Sequence, residues 1–250
     1  MNKHQKIFKR KLLFTFLACC ILLVSVSAMK RASSQAARTA VSPQPDAPLR
    51  LQILHPESTA DDQYAPKEDV VVANASGRDV SAYAIKYDIV IGGELRPGGV
   101  ELNQSTTANS LFRPGDTRTV TVGDAHYSRP VERVVVSLDF VEFTDASTWG
   151  ADTYSSKEVL AGLRAGARTM AKHLLGVLAE KGMNALSAEL DQTGDDIGAR
   201  DGSAKWQEGF QRGASFIKAR AKHEIKTFSN AEVERVLALP IDALDEIKKR

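Results

Sequence analysis

The sequence predicts an α+β protein in which antiparallel β-structure precedes a helical region, both behind an N-terminal export helix. Three observations carry this. From Leu49 to about Tyr154 the pattern is that of β-strands, with apolar residues alternating at a period of two. From Ser156 onward they recur at steps of three and four. Ahead of both lies an unbroken apolar run preceded by five cations.

That run, Leu12 to Met29, is about 18 residues long, near the lower limit for crossing a bilayer. Lys3, Lys6, Lys9, Arg10 and Lys11 precede it with no Asp or Glu among them, which marks the cytoplasmic side. Residues 1–28 are therefore expected to be a signal peptide or a signal anchor. Val26-Ser27-Ala28 fits the small-x-small rule for cleavage after Ala28. Retention would leave residues 12–29 as one transmembrane helix, with Lys30 and Arg31 just beyond it. Either outcome places the rest of the chain outside the cytoplasm: periplasmic, on the cell surface or secreted.

The leader also accounts for the chain's charge and its cysteines. Removing its five cations from the 33 basic residues leaves 28 against 31 acidic ones, a net charge of −3. The basic excess is thus no argument for nucleic-acid binding. Cys19 and Cys20 are the only cysteines and both lie in the apolar run. Phe16-Leu17-Ala18-Cys19 departs from a lipoprotein signal. The exported part has no thiol for a disulfide, a metal or a nucleophile.

Residues 29–47 are rich in Ala, Ser, Pro and Gln without an apolar period, and are expected to be a flexible linker. Residues 48–154 follow as β-structure. Leu49, Leu51 and Ile53 alternate with polar neighbours. Val70–Val72 leads into the turn Asn74-Ala75-Ser76-Gly77. Tyr83, Ile85, Tyr87, Ile89 and Ile91 share a face of the next strand, which Gly92-Gly93 and Pro97-Gly98-Gly99 are expected to close. Short strands are expected near Val100–Leu102 and Ser110–Phe112, then a turn at Pro114-Gly115-Asp116 and a strand over Thr117–Val122. In the last long strand Val134, Val136, Leu138 and Phe140 are placed on one face, with Val135, Ser137, Asp139 and Val141 on the other. About seven short strands separated by turn signals match an Ig-like β-sandwich.

Residues 155–250 form the helical region. Leu160, Leu163, Ala167, Met170, Leu174 and Leu178 mark a first helix, with Arg164, Arg168 and Lys172 as its solvated stripe and Gly182 as its C-cap. A short helix over Met183–Leu190, a loop to Ser203 and a long helix from about Ala204 to Phe228 follow. Asn230 is placed as the N-cap of a last short helix ending near Pro240. Gly162-Leu163-Arg164-Ala165-Gly166-Ala167 is echoed by Gly209-Phe210-Gln211-Arg212-Gly213-Ala214. Each glycine costs about 1 kcal/mol relative to Ala inside a helix. Close backbone approach offsets that cost, so these helices are expected to pack on each other, or each on the sheet, through their glycine faces.

Candidate chemistry is sparse. Asp139, Glu142, Asp145 and Asp152 fall within fourteen residues, and oxygen ligands at a strand end suit Ca²⁺. The plainer reading is a hairpin turn at Asp145–Ser147, with Trp149 covering the sandwich edge. The histidines, His4, His55, His126, His173 and His223, show no metal-ligand spacing. There is no GxSxG elbow, P-loop or GxGxxG, so no catalytic residue, cofactor or metal ligand is assigned. Asn74-Ala75-Ser76 and Asn103-Gln104-Ser105 are glycosylation sequons.

The stretches VVVANASGRDVSAYAIKYDI, LFRPGDTRTVTV and VVVSLDFVEFTDASTWGAD resemble the accessory β-sandwich domains of exported bacterial proteins. The segment Asp145-Ala146-Ser147-Thr148-Trp149-Gly150, leading into Gly-, Ala- and Arg-rich helices, is similar to one in uncharacterised exported bacterial proteins. The resemblance implies a fold and a compartment and carries over no functional residue. Two functions are left open. One is a non-catalytic binding or structural module of the cell envelope, contacting an envelope protein or a surface polymer. The other is a secreted enzyme or enzyme accessory with a site between sandwich and helices, near His126 or Asp145.

Overall fold

The structure, a computed structural model, describes residues 38–54, 64–105, 110–123, 125–191, 202–225, 232–235 and 237–238. The export helix expected over 1–28, the first part of the linker, Asn230 and Pro240 lie outside the described residues. Among the described residues no helix is long and apolar enough to cross a membrane.

The chain folds as α+β. Its strands are β1 (Arg38–Val41), β2 (Leu49–Ile53), β3 (Glu68–Asn74), β4 (Val80–Ile91), β5 (Glu94–Gln104), β6 (Thr117–Val122), β7 (Arg133–Phe143) and β8 (Thr148–Trp149). Two helices follow, α1 (Ser156–Asp191) and α2 (Ala204–Glu224). One sheet has the order β1-β7-β4-β5 with β8 beside β7, and the other has the order β2-β3-β6. All pairs are antiparallel except β1 with β7. One apolar core joins the two sheets: Leu49, Val70, Val72, Val120 and Val122 from the smaller meet Tyr83, Ile85, Ile89, Val134, Val136 and Leu138 from the larger.

Residues 38–47 depart from the flexible linker expected of them. Arg38–Val41 pairs in register with Arg133–Val136. The Ser42 amide then donates to the Val136 carbonyl at 2.8 Å. Gln44 continues the pairing with its side chain, donating from Nε2 to the Leu138 carbonyl (2.9 Å) and accepting the Leu138 amide on Oε1 (2.8 Å). Four residues are too few to display alternation, and β1 exists because the free edge of β7 supplies its partners.

The Pro97-Gly98-Gly99 turn is also displaced. Gly92-Gly93 makes the β4–β5 hairpin, whose two amides donate to the Glu132 carboxylate at 2.7 and 3.2 Å. Pro97-Gly98-Gly99 instead lies inside β5, where the register slips opposite Tyr87 and Asp88. An edge strand tolerates proline. The two glycines leave room for the Tyr87 ring, which a side chain at either position would strike. Ser110–Phe112 contributes only an isolated bridge, Phe112 to Val80.

Strand β7 does not keep the simple alternation. Ile85 opposes Leu138 and Ala84 opposes Phe140, so Asp139 has no partner across the ladder. This bulge exchanges the faces beyond it. Val134, Val136 and Leu138 point into the sandwich core, and so do Val141 and Phe143. Phe140 turns to the other side and packs with Ala82, Ala84 and Leu160 of α1. The larger sheet is thereby buried on both faces, and β4 is buried over most of its length.

Helix α1 breaks at Gly182, the position expected to cap it, but with φ of 77° and ψ of −177°, a backbone conformation open essentially to glycine alone rather than the usual left-handed cap. His173 Nε2 lies 2.9 Å from Glu189 Oε1. Sixteen residues along a straight helix would span about 24 Å, so residues 183–191 fold back on the segment before them. Arg164, expected on a solvated stripe, is instead half-buried against the sheet. Helix α2 is capped at its start by Ser203, whose Oγ accepts the Trp206 amide, and is described as far as its cap residue Ile225; the expected end at Phe228 lies outside the described residues.

The glycine echo is the seam between the helices. A Cβ on Gly162 or Gly166 would overlap the carbonyl of Trp206 or Phe210, and one on Gly209 or Gly213 the carbonyl of Val159 or Leu163. Contact positions advance together on both helices, so α1 and α2 run parallel here. Below the seam Ala167, Met170, Leu174, Leu186, Leu190, Ala214, Ile217 and Ala221 form a second core, closed by Val233 and Leu237.

The seam yields opposite expectations for two kinds of glycine. Gly213→Ala should destabilise by about 2 kcal/mol, because overpacking against backbone exceeds the helix-propensity gain. Gly166→Leu and Gly213→Leu should cost more. Gly176→Ala, with nothing within 4 Å of the new methyl, should gain about 0.5–1 kcal/mol. Thermal unfolding of the variants checks the contrast; equal effects at Gly176 and Gly213 would refute the seam.

Candidate functional site

Of the four carboxylates singled out from the sequence, Asp139, Glu142 and Asp152 lie at the joint between sheet and helix and Asp145 lies in the β7–β8 turn, each with its own protein partners. Asp139 is 1% exposed. Its Oδ1 accepts the Thr153 amide at 3.1 Å and its Oδ2 the Tyr154 amide at 3.3 Å. The Asp139 carbonyl accepts the Asp152 amide at 3.1 Å. Gly150 lies flat on that carbonyl, where a side chain would collide. Asp152 in turn accepts the Ser156 amide at 2.5 Å and the Lys157 amide at 3.3 Å. It satisfies the first free donors of α1 and places an acidic group at the helix's positive end.

Glu142 takes Ser81 Oγ at 2.6 Å and both terminal nitrogens of Arg164 at 2.7 and 3.1 Å. This fork joins a β4 bulge residue, β7 and α1 in one half-buried network. Asp145 accepts the amide and hydroxyl of Ser147 at 3.0 and 2.7 Å and pairs with Arg78 at 2.5 Å. The Ser147 hydroxyl and amide, and then Arg78, hold its carboxyl below the usual carboxylate range. The hairpin turn expected at Asp145–Ser147 is present, with Trp149 packed half-buried against the core. Among the described residues no group of three His, Cys, Asp or Glu side chains could hold a metal ion.

The histidines are scattered. His126 stacks on Tyr64 with centroids 6.3 Å apart, His173 meets Glu189, and His223 is exposed on α2. His4 and His55 lie outside the described residues. The boundary between sandwich and helices is filled by Leu160, Ala82, Ala84 and Phe140. Neither sequon asparagine offers its amide. Asn74 Nδ2 donates to the Arg78 and Phe112 carbonyls at 2.8 and 2.7 Å, and Asn103 Nδ2 is buried.

Sequence reasoning missed an open groove on the sandwich. Pro43, Pro45, Arg50, Arg78, Thr148 and Trp149 are among the residues that line it. It exists because residues 42–48 are held against β7 by Gln44 instead of running free. Its rigid element is Arg78, whose guanidinium sits 3.8 Å from the Phe143 ring centroid while bonding Asp145 and Ser147. The usable signal was the pairing of a proline cluster with the late Trp149, but only the fold brings the two together.

A buried tyrosine makes a separate, testable point. Tyr83 is packed against Phe112, with centroids 5.6 Å apart, and its hydroxyl has no hydrogen-bond partner among the described residues. Burial pushes its pKa up to about 12, opposed by nearby Arg118. Above pH 10 the unfolded tyrosine loses its proton while the folded one keeps it, so stability falls as pH rises from about 10 to 12. The loss should approach 2–3 kcal/mol, at about 1.4 kcal/mol per pKa unit. Tyr83→Phe should abolish that part of the alkaline loss and leave stability at pH 7 equal or higher, since no hydrogen bond is removed. Urea unfolding of both proteins from pH 7 to 11.5 measures it; identical alkaline profiles would contradict the assignment.

No family model matches the chain, and no curated protein is significantly similar to it. A 1.85 Å X-ray structure of a hypothetical protein from Peptoclostridium difficile 630 is similar over 46% of this chain and 91% of its own. The identity is 10% and the TM-score 0.28, a likeness too slight to carry an argument about fold or function.

Proposed function

We propose that this chain is a non-catalytic binding or structural module of the cell envelope, exported or anchored through residues 1–28. Its Ig-like sandwich presents the groove beside Trp149 to an envelope protein or a surface polymer. The fixed groove carries this reading: an aromatic wall and a guanidinium locked by Phe143, Asp145 and Ser147 are in place before any partner arrives. The structural engagement of Asp139, Glu142, Asp145 and Asp152 supports it from the other side, because their bonds build turns, caps and the helix joint.

Capture from the native envelope fraction with the tagged full chain tests the proposal. One reproducible protein or polymer should be retained. Arg50→Glu with Thr148→Arg, both exposed groove positions, should reduce retention at least about tenfold with an unchanged thermal midpoint. Retention indifferent to the groove variant would remove the groove from the function. Turnover of an envelope component by the purified chain would replace the module with an enzyme. The N-terminal peptide of the same preparation distinguishes cleavage from anchoring: a chain beginning at Met29 has lost the leader.

A further inference from the structure

We propose that the solvent face of α2 is a docking surface for an anionic phospholipid membrane. The inference stands apart from the groove, which no α2 residue lines. Phe216 is 53% exposed, the one large hydrophobic side chain that the described helices leave to solvent. Arg212 lies four residues before it and Arg220 four residues after, so the three form one stripe along the helix. Lys205 and His223 fall on the same face and lengthen the stripe to about 27 Å. The side chains of Lys205 and Arg212 are 51% and 64% exposed. Glu208 is the single carboxylate on the stripe and pairs with both, at 2.9 and 3.6 Å. The opposite side of α2, with Phe210, Ala214, Ile217 and Ala221, is buried and fixes which way the stripe faces.

Charge is segregated in the sense this docking needs. Residues 38–154 hold 10 basic and 17 acidic side chains, a net charge of −7, whereas α2 holds 5 basic and 2 acidic, a net charge of +3. An anionic surface therefore repels the sandwich and attracts α2, orienting the molecule before contact. The exposed aromatic at the centre of the stripe distinguishes a lipid surface from a soluble polyanion. A ring at the headgroup boundary gains an apolar medium, while a soluble polyanion offers only charge.

The test uses the full chain carrying F216W on vesicles, with the parent chain subtracting the emission of Trp149 and Trp206. The readout is local to α2, so any contribution of the N-terminal apolar run to vesicle binding does not enter it. With phosphatidylglycerol vesicles, the introduced fluorophore should shift to the blue and be quenched at least about twofold by headgroup-attached spin label. The signal should be absent on phosphatidylcholine alone, fall at high salt and vanish in R212E/R220E. Equal quenching on both vesicle types overturns the proposal, as does full quenching in the charge-reversed variant. So does a blue shift produced by soluble polyglutamate without lipid.

Discussion

The structure turns on Asp139. A single extra residue in β7 exchanges the faces of the strand, so Leu138 serves the sandwich core while Phe140 serves the helices. The same residue's buried carboxylate gathers the amides of Thr153 and Tyr154, and its carbonyl takes Asp152. These bonds fold the chain back so that Asp152 can cap α1. One position thus sets both the surface on which the helix lies and the point from which it starts. On the other side of β7, Gln44 fills the hydrogen bonds at Leu138 beside the bulge, and by doing so creates the groove wall.

The helices solve a different problem. Four glycines weaken α1 and α2 as isolated helices by about 1 kcal/mol each. Their lost side chains are what allow the backbone of one helix to lie on the carbonyls of the other. Dispersion contact along the seam and the core below it replaces the missing propensity. Gly176, in the same helix and facing open space, shows that the cost is not offset wherever a glycine occurs. The seam sits on the side of α1 away from Leu160 and Arg164, so α1 is held between the sheet and α2.

These demands leave specific surfaces unspent. The acidic groups that looked available are consumed in turns, caps and the helix joint, while the groove beside Trp149 and the basic stripe around Phe216 keep surface open to solvent. A module that meets a partner through the sandwich and a lipid surface through α2 would use both at once. The two surfaces lie on different elements, so one can act without the other.

The sequence by itself determined the α+β order, the strand cores of β2, β3, β4 and β6, the turns at Asn74–Gly77 and Asp145–Ser147, the break at Gly182 and the glycine faces of the two helices, though not what those faces pack against. All of these rest on interactions within a few residues or on a period repeated several times, and both are local properties. Tertiary structure alone decided the rest. The strand at Arg38–Val41 needs the edge of β7, and Gln44 needs a carbonyl ninety-four residues away. Pro97-Gly98-Gly99 became a bulge because Tyr87 lies across it. Arg164 left the solvated stripe because Glu142 waits on the sheet. The face of Phe140 depends on where a bulge falls, and a bulge is a mismatch between two strands that neither strand records alone.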